Sequence, residues 1–261
     1  MKNFEYKKSL GQNFLIDKNI IKKIIDSIDL KEEPLIIEIG PGSGSLTKEL
    51  VKLNANVVSF EIDTRLKEQL DKLVDENKNL QIIYEDFLKI NLKEFLKTKK
   101  YENLYFIANL PYYITTAIIN KITEESNPHE MILMVQKEVA ERFSAHPNTR
   151  EYGSISVFLQ YNYNISKVVL VSKKCFYPVP KVDSMVIKFE AKKNTVKAID
   201  EEKFYKLIKD SFQFKRKNLR NNLKNYNQDK INEILIKHNK DLTARAEEIS
   251  VDEFIDISNN L

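Results

Sequence analysis

Only five glycines occur in 261 residues, and three of them, Gly40, Gly42 and Gly44, fall within five positions. A residue so scarce and so clustered marks a backbone that must turn sharply or be approached closely. The cluster follows an apolar run at 35–39 and leads into a helical pattern at 46–53. A strand, a glycine turn and a helix in that order open a βαβ unit. Further short apolar runs at 57–61, 81–84, 104–108 and 131–135 read as strands. Helical spacing fills the intervals, at 65–74 and 115–123. An amphipathic helix at 17–30, with Asp17 as its N-cap, precedes them. The predicted class is α/β, a parallel sheet with helices on both faces. Two last runs, at 165–171 and 184–189, flank a Pro-rich loop without an intervening helix, so they are expected as an antiparallel pair at the sheet's edge.

Beyond Ala191 the pattern changes to helices alone, at 204–223, 231–238 and 251–257. We therefore expect two domains, 1–190 and an all-α 191–261. The net charge of +4 is unevenly spread. Residues 203–240 carry 11 Lys or Arg against 3 Asp or Glu, and residues 241–261 carry 1 against 6. A basic block ahead of an acidic tail suits a polyanion such as nucleic acid, or else a solvated helical face. One cysteine, Cys175, rules out an internal disulfide framework, and three scattered histidines argue against a metal centre. The composition fits a reducing cytoplasm. The first 14 residues lack a secretory signal's apolar core, and no apolar run reaches membrane-spanning length.

Polar residues recur at the predicted strand ends. Gly40 ends the first strand, preceded by Glu38, and Glu61 stands 21 residues later at the end of the next. A carboxylate there can accept both hydroxyls of an adenosine ribose. Asp86 follows the third strand, where it can bond an adenine amine. Asn109-Leu110-Pro111-Tyr112 follows the fourth. An amide oxygen and a nearby backbone carbonyl can accept the two N–H hydrogens of an exocyclic amine, while a tyrosine ring stacks on the base. Such acceptors localise a lone pair that is otherwise delocalised into the ring. Taken alone, the same four residues also make an ordinary turn after a strand. The G-x-G-x-G spacing, with these acids at successive strand ends, favours S-adenosylmethionine over a nicotinamide dinucleotide.

With those residues in view, the chain resembles the bacterial small-subunit rRNA adenine N6,N6-dimethyltransferases, the kasugamycin-sensitivity methyltransferases. The resemblance runs from Lys8-Ser9-Leu10-Gly11-Gln12-Asn13-Phe14-Leu15 through Glu38-Ile39-Gly40-Pro41-Gly42 and the Asn109 motif. It continues with Val135-Gln136-Lys137-Glu138-Val139-Ala140 and Phe176-Tyr177-Pro178-Val179-Pro180-Lys181-Val182-Asp183-Ser184. It ends with Arg216-Lys217-Asn218-Leu219-Arg220-Asn221-Asn222-Leu223. The resemblance implies a Rossmann-like S-adenosylmethionine-dependent methyltransferase sheet of seven strands and a helical RNA-recognition domain. It implies dimethylation of two adjacent adenines in the 3′-terminal hairpin loop of 16S rRNA during ribosome biogenesis, with no metal. Carried over, Asn13 and Leu15 close over the cofactor, Gly40 lies under it, Glu61 holds its ribose and Asp86 its adenine. Asn109 faces the methyl and orients the target amine, Tyr112 stacks on the target base, and Phe176 opposes it, unless Phe176 is a core residue at the loop's edge. Lys215, Arg216, Lys217 and Arg220 are expected on or near one helix, sharing a face that meets RNA phosphates. An ion pair tying the two domains together is the other reading of Arg216 or Arg220. Ser43 and Ser45 depart from the family's frequent apolar residues. The expected partner is 16S rRNA or an immature small ribosomal subunit, met by a monomer. Rival readings are a macrolide-resistance 23S rRNA methyltransferase, a mitochondrial transcription-factor relative, and a small-subunit assembly checkpoint factor. Leu110, Asp183 and the 219–223 segment favour the small-subunit enzyme.

Overall fold

A computed structural model describes residues 11–193 and 195–261. Lys8, Ser9 and Leu10, the start of the first motif, lie outside these. The chain divides into two compact units. The first holds the described residues up to Ala140 together with Ser166–Ala191, and the second holds Glu141–Ile165 and Lys192–Leu261.

The first unit begins with β1 (Phe14–Leu15), α1 (Lys18–Asp26), β2 (Pro34–Ile39), α2 (Thr47–Leu50) and β3 (Asn56–Phe60). Then follow α3 (Lys67–Glu76), β4 (Leu80–Ile83), α4 (Leu92–Lys97), β5 (Asn103–Asn109), α5 (Thr115–Glu125) and β6 (Glu130–Gln136). The chain leaves this unit within α6 (Lys137–Phe143), forms α7 (Ser154–Asn162), and returns within β7 (Tyr163–Val171) before β8 (Phe176–Tyr177) and β9 (Ser184–Ala191). Seven strands form one sheet in the order β4-β3-β2-β5-β6-β9-β7, and β1 pairs with β8 in a second, two-stranded sheet. Strands β4, β3, β2, β5 and β6 are parallel, and β9 runs antiparallel to β6.

Burial on both faces explains why the central strands read as largely apolar runs, with Glu38 of β2 and Ser59 of β3 buried among them. On one face Ile36, Tyr105, Ile107, Ile132 and Met134 pack in one cluster with Ile20, Ile21 and Ile24 of α1 and Leu70 and Leu73 of α3. Aromatic rings meet elsewhere in this unit: Phe60 lies edge-on to Phe87 and Phe95 at 5.4 and 5.3 Å, and Phe87 to Phe106 at 6.3 Å. Asp17 caps α1, accepting from the Asn19 and Ile20 amides at 2.8 and 3.2 Å. The helix stops at Asp26, short of the expected residue 30, where the Ser27 hydroxyl donates back to the Ile24 carbonyl.

The second unit adds α8 (Glu201–Ser211), α9 (Leu219–Asn222), α10 (Gln228–Lys237) and α11 (Val251–Asn260). Its core joins Phe204, Leu207, Leu219, Ile231 and Phe254 to Tyr152, Val157 and Tyr161. The single boundary expected near residue 190 is therefore too simple. Segment 141–165 buries its large side chains among the C-terminal helices, and the Tyr152 hydroxyl donates to the Ile249 carbonyl at 3.0 Å. The helix expected at 204–223 is also broken. α8 ends at Ser211, and the Asn222 amide bonds the carbonyls of Ser211 (2.7 Å), Phe214 (3.3 Å) and Lys217 (3.4 Å), fixing a turn before α9.

Candidate active site

The strand order reverses beside β2, which has β3 on one side and β5 on the other. Ligands of open α/β sheets bind outside the strands' carboxyl ends at such a reversal. A cavity of about 240 Å³ lies there, walled by the segments that follow β2, β3, β4 and β5 and by residues 11–14. Of the residues expected at the site, Asn13, Gly40, Glu61, Asp86, Asn109 and Tyr112 all line it.

Gly40 holds φ at +71°, and no atom stands within 4 Å of where its Cβ would be. Its missing side chain leaves floor space in the cavity. Gly42, at φ +54°, is glycine for a different reason: a Cβ would stand 2.5 Å from the Phe14 ring. Phe14, buried to 8% exposure, thus packs the N-terminal segment directly onto the glycine turn.

Glu61 is buried just beyond β3. Its carboxylate accepts from the Gly42 amide at 2.9 Å and the Asp63 amide at 2.8 Å, one on each oxygen. Burial raises this carboxyl's pKa, and those amides pull it back down. Each oxygen keeps a second lone pair, so the acid can still receive a pair of hydroxyls. Asp86 caps a short 3-10 turn through Oδ1, which accepts from the Leu88 amide at 3.0 Å. Ile62, Phe87 and Leu88 supply apolar wall between the two acids' segments.

Asn109 is the last residue of β5. Its Nδ2 donates to the Asn13 carbonyl at 2.9 Å, which fixes the amide and leaves Oδ1 as the acceptor. Tyr112 is half-buried, its hydroxyl sharing a 2.8 Å hydrogen bond with Ser184, which is fully buried at the start of β9. Burial raises the phenol's pKa, so the ring stays neutral. Among the described residues, no group of three His, Cys, Asp or Glu is placed to hold a metal ion, and no helix is long and apolar enough to cross a membrane.

The whole length of the chain points the same way as this geometry. Residues 3–261 match the family model described as ribosomal RNA adenine dimethylase. The chain belongs to the ribosomal RNA adenine dimethylase family. It is an S-adenosylmethionine-dependent rRNA adenine dimethyltransferase. Relatives named ribosomal RNA small subunit methyltransferase A agree. That of Clostridium botulinum (strain Okra / Type B1) is 40% identical over 255 residues, covering 96% of this chain and 92% of its own. That of Staphylococcus carnosus (strain TM300) is 42% identical over 268 residues, covering 99% and 90%. Two solved structures share the fold at 24% identity. A dimethyladenosine transferase from Plasmodium falciparum superposes with a TM-score of 0.76 over 93% of this chain and 95% of its own. The 23S rRNA methyltransferase ErmE does so with 0.79 over 95% and 99%.

The dimethylase cavity has a floor opened by Gly40 and two acids, features that suit an adenosine bearing a cationic sulfonium. Two expected residues stand apart from it. Leu15 is buried in β1 opposite Phe176 and does not line the cavity. Phe176, expected to oppose the target base, is 1% exposed and sits in the core, because its strand pairing with Leu15 turns it inward. Lys215, Arg216 and Lys217 lie in the turn before α9, not on a helix, so the expected shared helical face with Arg220 does not exist. All four are nonetheless exposed.

Three residues that the sequence shows only within longer motifs take up roles of their own. Gln12 donates to Asp63 at 2.7 Å, and Asp63 is held down at about 2 by the Arg65 guanidinium with Gln12's help. Ser184 orients Tyr112. Glu38, fully buried, accepts from Ser59 at 2.6 Å and Thr47 at 2.8 Å, and burial pushes its pKa up to about 7. The partners of Gln12 and Ser184 lie 51 and 72 residues away, and those of Glu38 lie 9 and 21 away on two different elements, so no local pattern announces them.

Proposed function

We propose that this chain dimethylates N6 of two adjacent adenines in the 3′-terminal hairpin loop of 16S rRNA, on an immature small ribosomal subunit in the cytoplasm, acting as a monomer. The observation that carries the reading is Asn109, whose amide is pinned by Asn13 with Oδ1 free at the cavity wall. The whole-length likeness to enzymes named for the small subunit supports the choice of substrate.

S-adenosylmethionine supplies an electrophilic methyl group when bound. Glu61 holds the ribose hydroxyls, Asp86 takes the adenine amine, Gly40 gives the ligand room, and Asn13 closes the cavity. Asn109 Oδ1 accepts one hydrogen of the target amine. The Leu110 carbonyl is its partner acceptor, because the Pro111 carbonyl is already engaged by the Ile114 amide at 3.2 Å and the Thr115 hydroxyl at 3.1 Å. Together these draw the nitrogen toward tetrahedral geometry and place its lone pair in line for transfer. Tyr112, steadied by Ser184, stacks on the extruded base. No strong base is needed, since the amine's proton leaves to solvent after transfer. Lys215, Arg216, Lys217 and Arg220 meet phosphates, so binding weakens steeply with salt.

The test is methyl transfer from labelled S-adenosylmethionine to undermethylated small subunits, with large-subunit rRNA in parallel, followed by nucleoside analysis. N6,N6-dimethyladenosine confined to the small subunit supports the proposal. Dimethylation of the large-subunit RNA instead overturns it. Binding to immature subunits without transfer leaves an assembly role in its place.

A further inference from the structure

Tyr113 follows Tyr112 in the chain, yet the two rings have opposite surroundings. Tyr112 is half-buried and hydrogen-bonded to Ser184. Tyr113 is 63% exposed while still lining the cavity, and its hydroxyl has no partner among the described residues.

The ring nonetheless has backbone beside it. It lies against Gly11, where a Cβ would stand 3.0 Å from Tyr113 Cε1 and 3.2 Å from Cδ1. Gly11 also takes φ +61°, a conformation that favours glycine. One side of the ring is therefore backed by the N-terminal segment, and the remainder faces solvent at the cavity's mouth.

A nucleotide that enters a pocket leaves its stack, and its chain neighbour loses a stacking face at the same moment. An aromatic ring fixed at the pocket's mouth can replace that face for any base, since every base has a π surface. We propose that Tyr113 is the stacking platform for the nucleobase adjacent to the one in the cavity, an inference that rests on the methyl transfer to RNA proposed above. Consecutive tyrosines then hold consecutive bases, Tyr112 inside and Tyr113 at the rim. Tyr113 is a positioning residue for the substrate and has no part in activating the amine.

The experiment compares the wild type, Tyr113→Ala and Tyr113→Phe on two small-subunit substrates. One carries intact rRNA, and the other an abasic site at the nucleotide beside the target. On intact RNA, Tyr113→Ala lowers kcat/KM by about 5- to 100-fold, and Tyr113→Phe stays within about twofold of wild type because the ring remains. The abasic site lowers the wild type by a similar factor and adds little further loss in Tyr113→Ala. S-adenosylmethionine affinity, measured separately by calorimetry, stays the same in all three proteins. An equal loss in Tyr113→Ala on both substrates overturns the proposal, as does a loss explained by weaker donor binding, or no loss at all. If the wild type transfers methyl to neither substrate, the functional reading fails and this inference falls with it.

Discussion

Replacing Gly42 by alanine tests how the N-terminal segment is fastened over the site. Two terms follow from the geometry. At φ +54° an L-residue loses about 1–2 kcal/mol relative to glycine. The new Cβ would also stand 2.5 and 2.6 Å from two atoms of the Phe14 ring, so the ring must move. Phe14 is 8% exposed, and its full displacement forfeits about 1.5–3 kcal/mol of burial. The sum is about 2.5–5 kcal/mol, or a fall of about 5–20 °C in the melting temperature. The assay is thermal unfolding of a double-mutant cycle with Phe14→Ala. In that background the clash is gone and only the backbone term of about 1–2 kcal/mol remains. Gly40→Ala is the control: its φ is +71° but its Cβ meets nothing, so it shows the backbone term alone while filling cavity floor. Strict additivity of Gly42→Ala and Phe14→Ala would refute the reasoning, as would equal melting losses for Gly40→Ala and Gly42→Ala.

Three further expectations concern other residues. Glu38 has a folded pKa of about 7 against an ordinary 4.5, caused first by burial. The folded state therefore binds this proton more tightly than the unfolded one, and stability declines as pH rises from about 4.5 to 7 by roughly 2–4 kcal/mol, then levels off. Glu38→Gln should flatten that decline in urea unfolding measured from pH 5 to 8; an unchanged slope contradicts it. Ser184→Ala removes the partner of the Tyr112 hydroxyl and should lower methyl transfer about 2- to 10-fold with little change in melting, while loss of melting alone would make Ser184 a core residue only. Removing Lys217 and Arg220 together should weaken RNA binding at every sequence and reduce the salt slope by about 1 per lost phosphate contact, and an unchanged slope takes them off the RNA.

The sheet was legible because its strands are buried on both faces. The runs expected at 35–39 and 104–108 match β2 and β5 to within one residue at each end; Glu38, the one charged residue in either run, is itself buried and does not break its strand. The site was legible where its groups stand at strand ends: Gly40, Glu61, Asp86 and Asn109 each follow or close a strand and all reach the same cavity. Two kinds of feature were hidden. One is a side chain that reorganises backbone: Asn222 gathers three carbonyls and fixes a turn between α8 and α9, and the only sign of it in the sequence is the polar run 215–218, which breaks the apolar spacing. The other is inward rotation by pairing. Phe176 and Tyr177 are neighbours in one short strand and point to opposite faces of it, so Phe176 is buried opposite Leu15 while Tyr177 is 56% exposed. Segment 141–165 belongs to the helical unit for a related reason, because its apolar residues find their core more than 40 positions away.

The proposed catalysis turns on Asn109 presenting Oδ1 to the target amine while Nδ2 is tied to Asn13. The most direct measurement is single-turnover methyl transfer by Asn109→Ala, with RNA affinity determined on the same substrate. The expected rate is at least about 100-fold below wild type, the scale for losing one well-placed polar contact to the reacting group, with affinity nearly unchanged. An unaltered rate, or equal losses of rate and affinity, would contradict it.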